Sequence, residues 1–159
     1  MTNNVAAAVI SDSIEIDASP AAVWEIVSDL KRMGEWSPQC RKMIIRGGGP
    51  IGVGTRTLNI NTRGLLVWPT QAMVKEFEPE KKLSFKVREN HSVWVYELEP
   101  TANGGTKLTE SRLAPDDVSD VSKFLTRNVL GGLEDFEKEL KLGIKQTLAR
   151  IKREAEKAA

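Results

Sequence analysis

Few residues in this chain are equipped for chemistry, and their spacing narrows what that chemistry is. In the segment 105–113, Leu108 faces the interior, so Glu110 and Arg112 share its side while Lys107, Thr109 and Ser111 face out. A carboxyl buried there needs a partner, and Arg112 or Arg56 can serve. The pair is then either a structural ion pair or a polar anchor for a ligand carbonyl or carboxylate, with the guanidinium as a forked donor. In 91–99, Trp94, Tyr96 and Leu98 share one side, and Glu97 and Glu99 take the solvated other side. A Trp–Tyr pair on one sheet face presents apolar area with polar tips, which suits a pocket wall. Trp36 and Trp68 are placed at a pocket mouth.

Other chemistries are excluded by counting. The chain of 159 residues holds a single Cys (Cys40) and a single His (His91). No Cys/His zinc cluster and no intrachain disulfide can form, so the natural compartment is a reducing cytoplasm. Cys40 has only His91 as an imidazole base, some fifty residues away, and reads as a small buried or half-buried thiol. His91, beside Asn90, reads as a turn residue. Gly47-Gly48-Gly49-Pro50-Ile51-Gly52 formally matches G-x-G-x-x-G, but Pro50 lacks a donor and Gly54-Thr55 leads into a strand. Without a helix N-terminus the loop cannot cradle a pyrophosphate, and it reads instead as a gating flap. Lys and Arg total 23 against 22 Asp and Glu, a net charge of +1, which argues against specific nucleic-acid binding. A local patch of Arg41, Lys42 and Arg46 is noted. No stretch is apolar enough to span a membrane.

These residues are positioned by a regular order of elements. A strand over 9–17 points Ile10, Ile14 and Ile16 inward, with Asp12 on the same parity, either lining a wet interior or turned aside by a bulge. Ser19-Pro20 caps a helix over Pro20 to Ser28. A second helical turn, Leu30 to Met33, ends at Gly34. Strands follow at 40–46, 55–62, 67–78, 82–89, 91–99 and 105–113, separated by turn residues that include Asn103-Gly104. From Val121 through Phe124/Leu125, Val129, Leu133, Phe136, Leu140, Ile144 and Leu148 to Ile151, apolar residues recur at helical spacing. Gly131-Gly132 marks a kink or break. The ends, to about Ala7 and from Glu154, read as frayed. Residues 8–157 read as one domain.

Specific residues then match a known family. Ser13-Ile14-Glu15-Ile16-Asp17-Ala18-Ser19-Pro20-Ala21-Ala22-Val23-Trp24 resembles the opening of the START-like superfamily, polyketide cyclase/dehydrase branch. Trp36-Ser37-Pro38, Gly52-Val53-Gly54-Thr55, Glu76-Phe77-Glu78-Pro79 and Tyr96-Glu97-Leu98-Glu99-Pro100 with Gly104-Gly105-Thr106 are similar to its later landmarks. The resemblance implies an α+β helix-grip fold, in which a curved seven-stranded antiparallel sheet wraps a long C-terminal helix, with two short helices after strand 1. It also implies a cavity between sheet and helix for a lipid, a polyketide or another hydrophobic molecule. The expected lining is Trp68, Trp94, Tyr96, Leu98, Leu108, Glu110, Arg112 and Phe136. No metal, nucleotide or other cofactor is expected. Two alternatives stand beside binding: a cyclase or dehydratase that uses cavity acid–base residues, and a protein-interaction module such as a toxin–antitoxin component. A protein partner or a homodimer is left open.

Overall fold

The computed structural model describes residues 8–114 and 133–158, with side chains of the last helix described from 137 onward. Val121, Phe124, Leu125, Val129 and the Gly131-Gly132 break lie outside the described residues, as does the Phe136 side chain.

Seven strands form one antiparallel sheet: β1 (Ala8–Ile16), β2 (Cys40–Arg46), β3 (Arg56–Arg63), β4 (Leu66–Glu78), β5 (Lys82–Val87), β6 (Val93–Pro100) and β7 (Thr106–Ala114), in the order β1-β7-β6-β5-β4-β3-β2. Strands β2 to β7 are thus a meander of hairpins, and β1 closes onto its last member. This is the curved sheet with a long C-terminal helix that the resemblance implies. Between β1 and β2 run α1 (Pro20–Val27), a 3-10 turn at Leu30–Arg32 and α2 (Met33–Trp36). They carry the chain from one edge of the sheet to the other. α1 begins as its sequence requires, with the Ser19 hydroxyl accepting from the Ala22 amide at 3.2 Å and Pro20 at the first helical position.

The long helix α3 (Leu133–Ala158) packs on β1, β7, α1 and α2. Its stripe of Leu140, Ile144, Leu148, Ile151 and Ala155 is buried, against Ile16, Val23, Val27, Leu30, Met33 and Leu108 in the core. Polar ties fix its outer edge. Glu156 accepts from the Asp17 amide at 2.8 Å, Lys145 reaches Asp12 at 3.0 Å, and Arg63 pairs with Glu139. The helix continues to Ala158, past the residues read as frayed, because Ala155 is fully buried and Glu154 and Glu156 hold ion pairs.

The second short helix does not stop at Gly34. It continues to Trp36, and the glycine is required for a different reason. A Cβ at Gly34 would lie 2.1 Å from the carbonyl oxygen of Arg41, so α2 packs against β2 backbone to backbone. Trp36 is buried in the core with the Arg32 guanidinium 4.7 Å over its ring, not at a rim. Asp12 faces inward without a bulge, in unbroken register with β7.

Gly34→Ala should lower stability by about 1–3 kcal/mol, because backbone cannot yield as a side chain can. Gly143→Ala, whose Cβ would meet Pro38 Cγ at an ordinary 3.5 Å, should be neutral or stabilising by up to about 1 kcal/mol. Urea unfolding of the two variants beside wild type measures the contrast. Equal effects would show that the α2–β2 approach is not the constraint.

Candidate functional site

The register builds the inner face in rows. Ile10, Arg112, Trp94 and Phe85 lie side by side across β1, β7, β6 and β5. The next row is Asp12, Glu110, Tyr96 and Leu83, and the one beyond is Ile14, Leu108 and Leu98. Seven of the eight residues expected from the sequence therefore share this face, with Trp68 farther out on β4, opposite Asn61. Trp94 and Trp68 are half-buried, and Tyr96, Leu98, Leu108, Glu110 and Arg112 are buried.

Glu110 is 2 % exposed. Its partner is neither arginine considered above. Arg56 points to the opposite face of the sheet, in the row with Met73, while Arg112 lies over the Trp94 ring at 5.9 Å. The hydroxyl of Tyr96 instead donates to Glu110 Oε2 at 3.0 Å, with Met33 Sδ 3.8 Å from the same hydroxyl. Glu110 Oε1 is buried with no hydrogen-bond partner among the described residues. Burial pushes the carboxyl pKa up to about 8, and the tyrosine hydroxyl opposes this only in part. The acid is therefore neutral at pH 7. Burial and the neighbouring Glu110 likewise hold the Tyr96 phenol well above its usual range. Burial also lowers the Arg112 guanidinium, against the opposing charge of Glu137.

Across the strand, Asp12 has the opposite environment. The Lys145 ammonium hydrogen-bonds it and holds its carboxyl below the usual range, with help from the Ser13 amide. Two carboxyls in register, one ionised and one protonated, are an arrangement in which acid and base roles are separated by surroundings.

The far wall was not read from the sequence. In β3, Thr57 and Asn59 are buried at 1 % and 3 %, while Leu58 and Ile60 take the outer face. The pattern is inverted relative to an ordinary half-buried strand. Its polar groups satisfy one another. Thr57 Oγ1 donates to Asn59 Oδ1 at 2.8 Å, and the amide groups of Asn59 and Asn61 reach Thr70 Oγ1 at 3.3 and 3.0 Å. The signal was present in Asn59 and Asn61 at alternate positions, since asparagine is disfavoured in strands unless something on that face uses it. Cys40 is half-buried, its thiol pushed up to about 11 by burial, which makes it a poor nucleophile. His91 sits in the β5–β6 turn with φ 60°. Among the described residues no cluster of three or more His, Cys, Asp or Glu is placed to hold a metal, and no helix is long and apolar enough to cross a membrane.

The Glu110 carboxyl makes stability depend on pH. Unfolded, it ionises near its ordinary value of 4.5, whereas folded it keeps its proton to about 8. The contribution is complete below 4.5 and declines as pH rises to 8, by about 1.4 kcal/mol per unit at most. Glu110→Gln should flatten that decline in urea unfolding between pH 5 and 8, and should be the more stable protein at pH 8. A wild-type slope retained in the variant would assign it to other groups.

The arrangement agrees with known proteins. No curated protein sequence matches the chain. Among solved structures, the Zhui aromatase/cyclase from Streptomyces sp. R1128 superposes with a TM-score of 0.75 at 14% identity, over 96% of this chain and 95% of its own. A polyketide-cyclase-like protein from Corynebacterium glutamicum is 28% identical, with a TM-score of 0.62 over 94% of this chain and 92% of its own. Ara h 8.0201 shares the fold at a TM-score of 0.66 and 12% identity, over 94% and 98% of the two chains. Residues 7–156 match the family described as polyketide cyclase/dehydrase and lipid transport, and the chain belongs to that family.

Proposed function

We propose that this protein binds an oxygenated hydrophobic small molecule, of polyketide or lipid type, against the inner face of the sheet. The observation that carries the reading is the protonated Glu110 with its unused Oε1. A buried polar atom without a partner costs roughly 1–3 kcal/mol, and a ligand carbonyl that accepts from the acid offsets this. The surroundings have the matching chemistry. Trp68 and Trp94 offer half-buried aromatic area on the same face, and Thr57, Asn59, Asn61 and Thr70 offer hydroxyl and amide groups. Leu98 and Leu108, in the next row, continue the apolar inner face. A few fixed polar groups within apolar lining are the usual composition of a small-molecule site. The neighbours described as an aromatase/cyclase and a polyketide-cyclase-like protein support the ligand class.

A second reading, acid–base catalysis on such a molecule, is favoured by one feature. Glu110 carries a proton that it loses near pH 8, beside the Tyr96 hydroxyl and opposite the ionised Asp12. A carboxylic acid poised close to neutral pH is a competent proton donor.

Binding is measurable with prodan, a neutral fluorescent naphthyl ketone. Saturable binding with a blue-shifted emission is expected, weakened about 2–10-fold by Glu110→Met and by Tyr96→Phe. It should also weaken as pH rises past 8, when the donor proton is lost. Glu97→Gln, exposed on the same strand, should change nothing. Affinity that ignores both inner-face variants and pH would place the ligand elsewhere and sink the reading.

A further inference from the structure

The opposite face of the sheet carries a recess whose charged residues the interior reading does not use. Arg56, Met73 and Lys86 form one outward row across β3, β4 and β5. Together with Lys75, Arg88 and His91 they line a cleft of about 440 Å³. Neither Asp nor Glu is among the described residues that line it. Among the described residues, the side chains of Arg56, Lys75, Lys86 and Arg88 have no hydrogen-bond or ion-pair partner, although the chain has 22 acidic residues. Glu89, next to Arg88 in sequence, accepts from the Gln71 backbone amide at 2.8 Å. Arg46, next to Arg56 across β2 and β3, donates to the Gln71 side chain at 3.2 Å. Arg56 is also shared with an adjoining recess bounded by Arg46, Gly47 and Gly48.

Four unpaired cations held around one cleft repel each other, and an anion inside it relieves that repulsion. In a chain whose net charge is only +1, this is a local concentration and not a general excess. The cleft has the volume of a small-molecule site, and its cations border it on the strands either side of Met73 instead of forming a long track as nucleic acid requires. Arginine and lysine together suit phosphate, the guanidinium as a fork and the ammonium as a point charge. We propose that this outer cleft binds a phosphomonoester carried on an apolar group. The phosphate lies among Arg56, Lys86 and Arg88, and the apolar part lies on Met73. The cations that hold the phosphate lie on the opposite side of the sheet from Glu110, although Thr57 borders both sites.

The probes are phenyl phosphate and inorganic phosphate, titrated into the ¹⁵N-labelled protein at low and at physiological salt. Phenyl phosphate is expected to saturate, to shift the amides around Arg56, Met73, Lys86 and Arg88, and to bind more tightly than inorganic phosphate. The double variant Arg56→Gln/Lys86→Gln should lose about tenfold or more in affinity. Lys31→Gln/Arg153→Gln removes the same charge from exposed positions elsewhere and should bind like wild type. Circular dichroism confirms that both variants are folded. Equal weakening in the two double variants would reduce the effect to net charge and overturn the proposal. Shifts confined to Trp94 and Tyr96, or no saturation, would overturn it as well, leaving the prodan result untouched. Equal affinity for the two phosphates would remove Met73 from the site.

Discussion

A carboxyl group lies in the middle of the inner sheet face, between a tyrosine and a leucine row, with one oxygen bonded and the other alone. The cost of keeping polar atoms there governs that side of the molecule. Charge is intolerable at such burial, so Glu110 holds its proton and Tyr96 turns its hydroxyl toward it. One strand away, Asp12 is only half-buried and stays ionised, with Lys145 of α3 at 3.0 Å and the Ser13 amide bonded to it. The position of the helix and the ionisation states beneath it are therefore one problem with one solution.

The same logic explains β3. Its inward groups are two asparagines and a threonine, which bond to one another and to Thr70 on the neighbouring strand. Such a ladder pairs the buried polar groups of Thr57 and Asn59 within the sheet, and it leaves Leu58 and Ile60 to the outside. The sheet consequently has two unusual faces around β3 and β4. Inside it is more polar than a core requires, and outside, at Arg56, Lys75, Lys86 and Arg88, it is more cationic than the chain's near-neutral charge suggests.

Much of this was legible in the sequence. Strand boundaries followed from period-two alternation and from turns such as Asn103-Gly104, and they agree with the structure to within a residue or two at most positions. The shared face of Trp94, Tyr96, Leu98, Leu108, Glu110 and Arg112 followed from parity alone. Partners did not. Parity places Glu110 and Arg112 on one face two residues apart, but the register sets Tyr96 directly opposite Glu110, and nothing local in sequence carries that register. Arg56 was misplaced for a related reason, because β3 inverts the rule that apolar residues point inward. Gly34 looked like a helix stop, and only the approach of β2 in space shows that it is a contact instead.

The order of the strands carries a consequence for how the chain folds. The hairpins from β2 to β7 pair neighbours in sequence and can close one after another as the polypeptide emerges. β1 cannot. Its bonding partner is β7, so Ser11 meets Ser111, 100 positions further along the chain. α3, which follows β7 in sequence, packs against β1 as well. β1, made before the hairpins, is thus paired after them, and until then its edge and that of β7 stand open. Loop closure over such a span slows the final step of folding and sets the interval in which the nascent chain is exposed to aggregation.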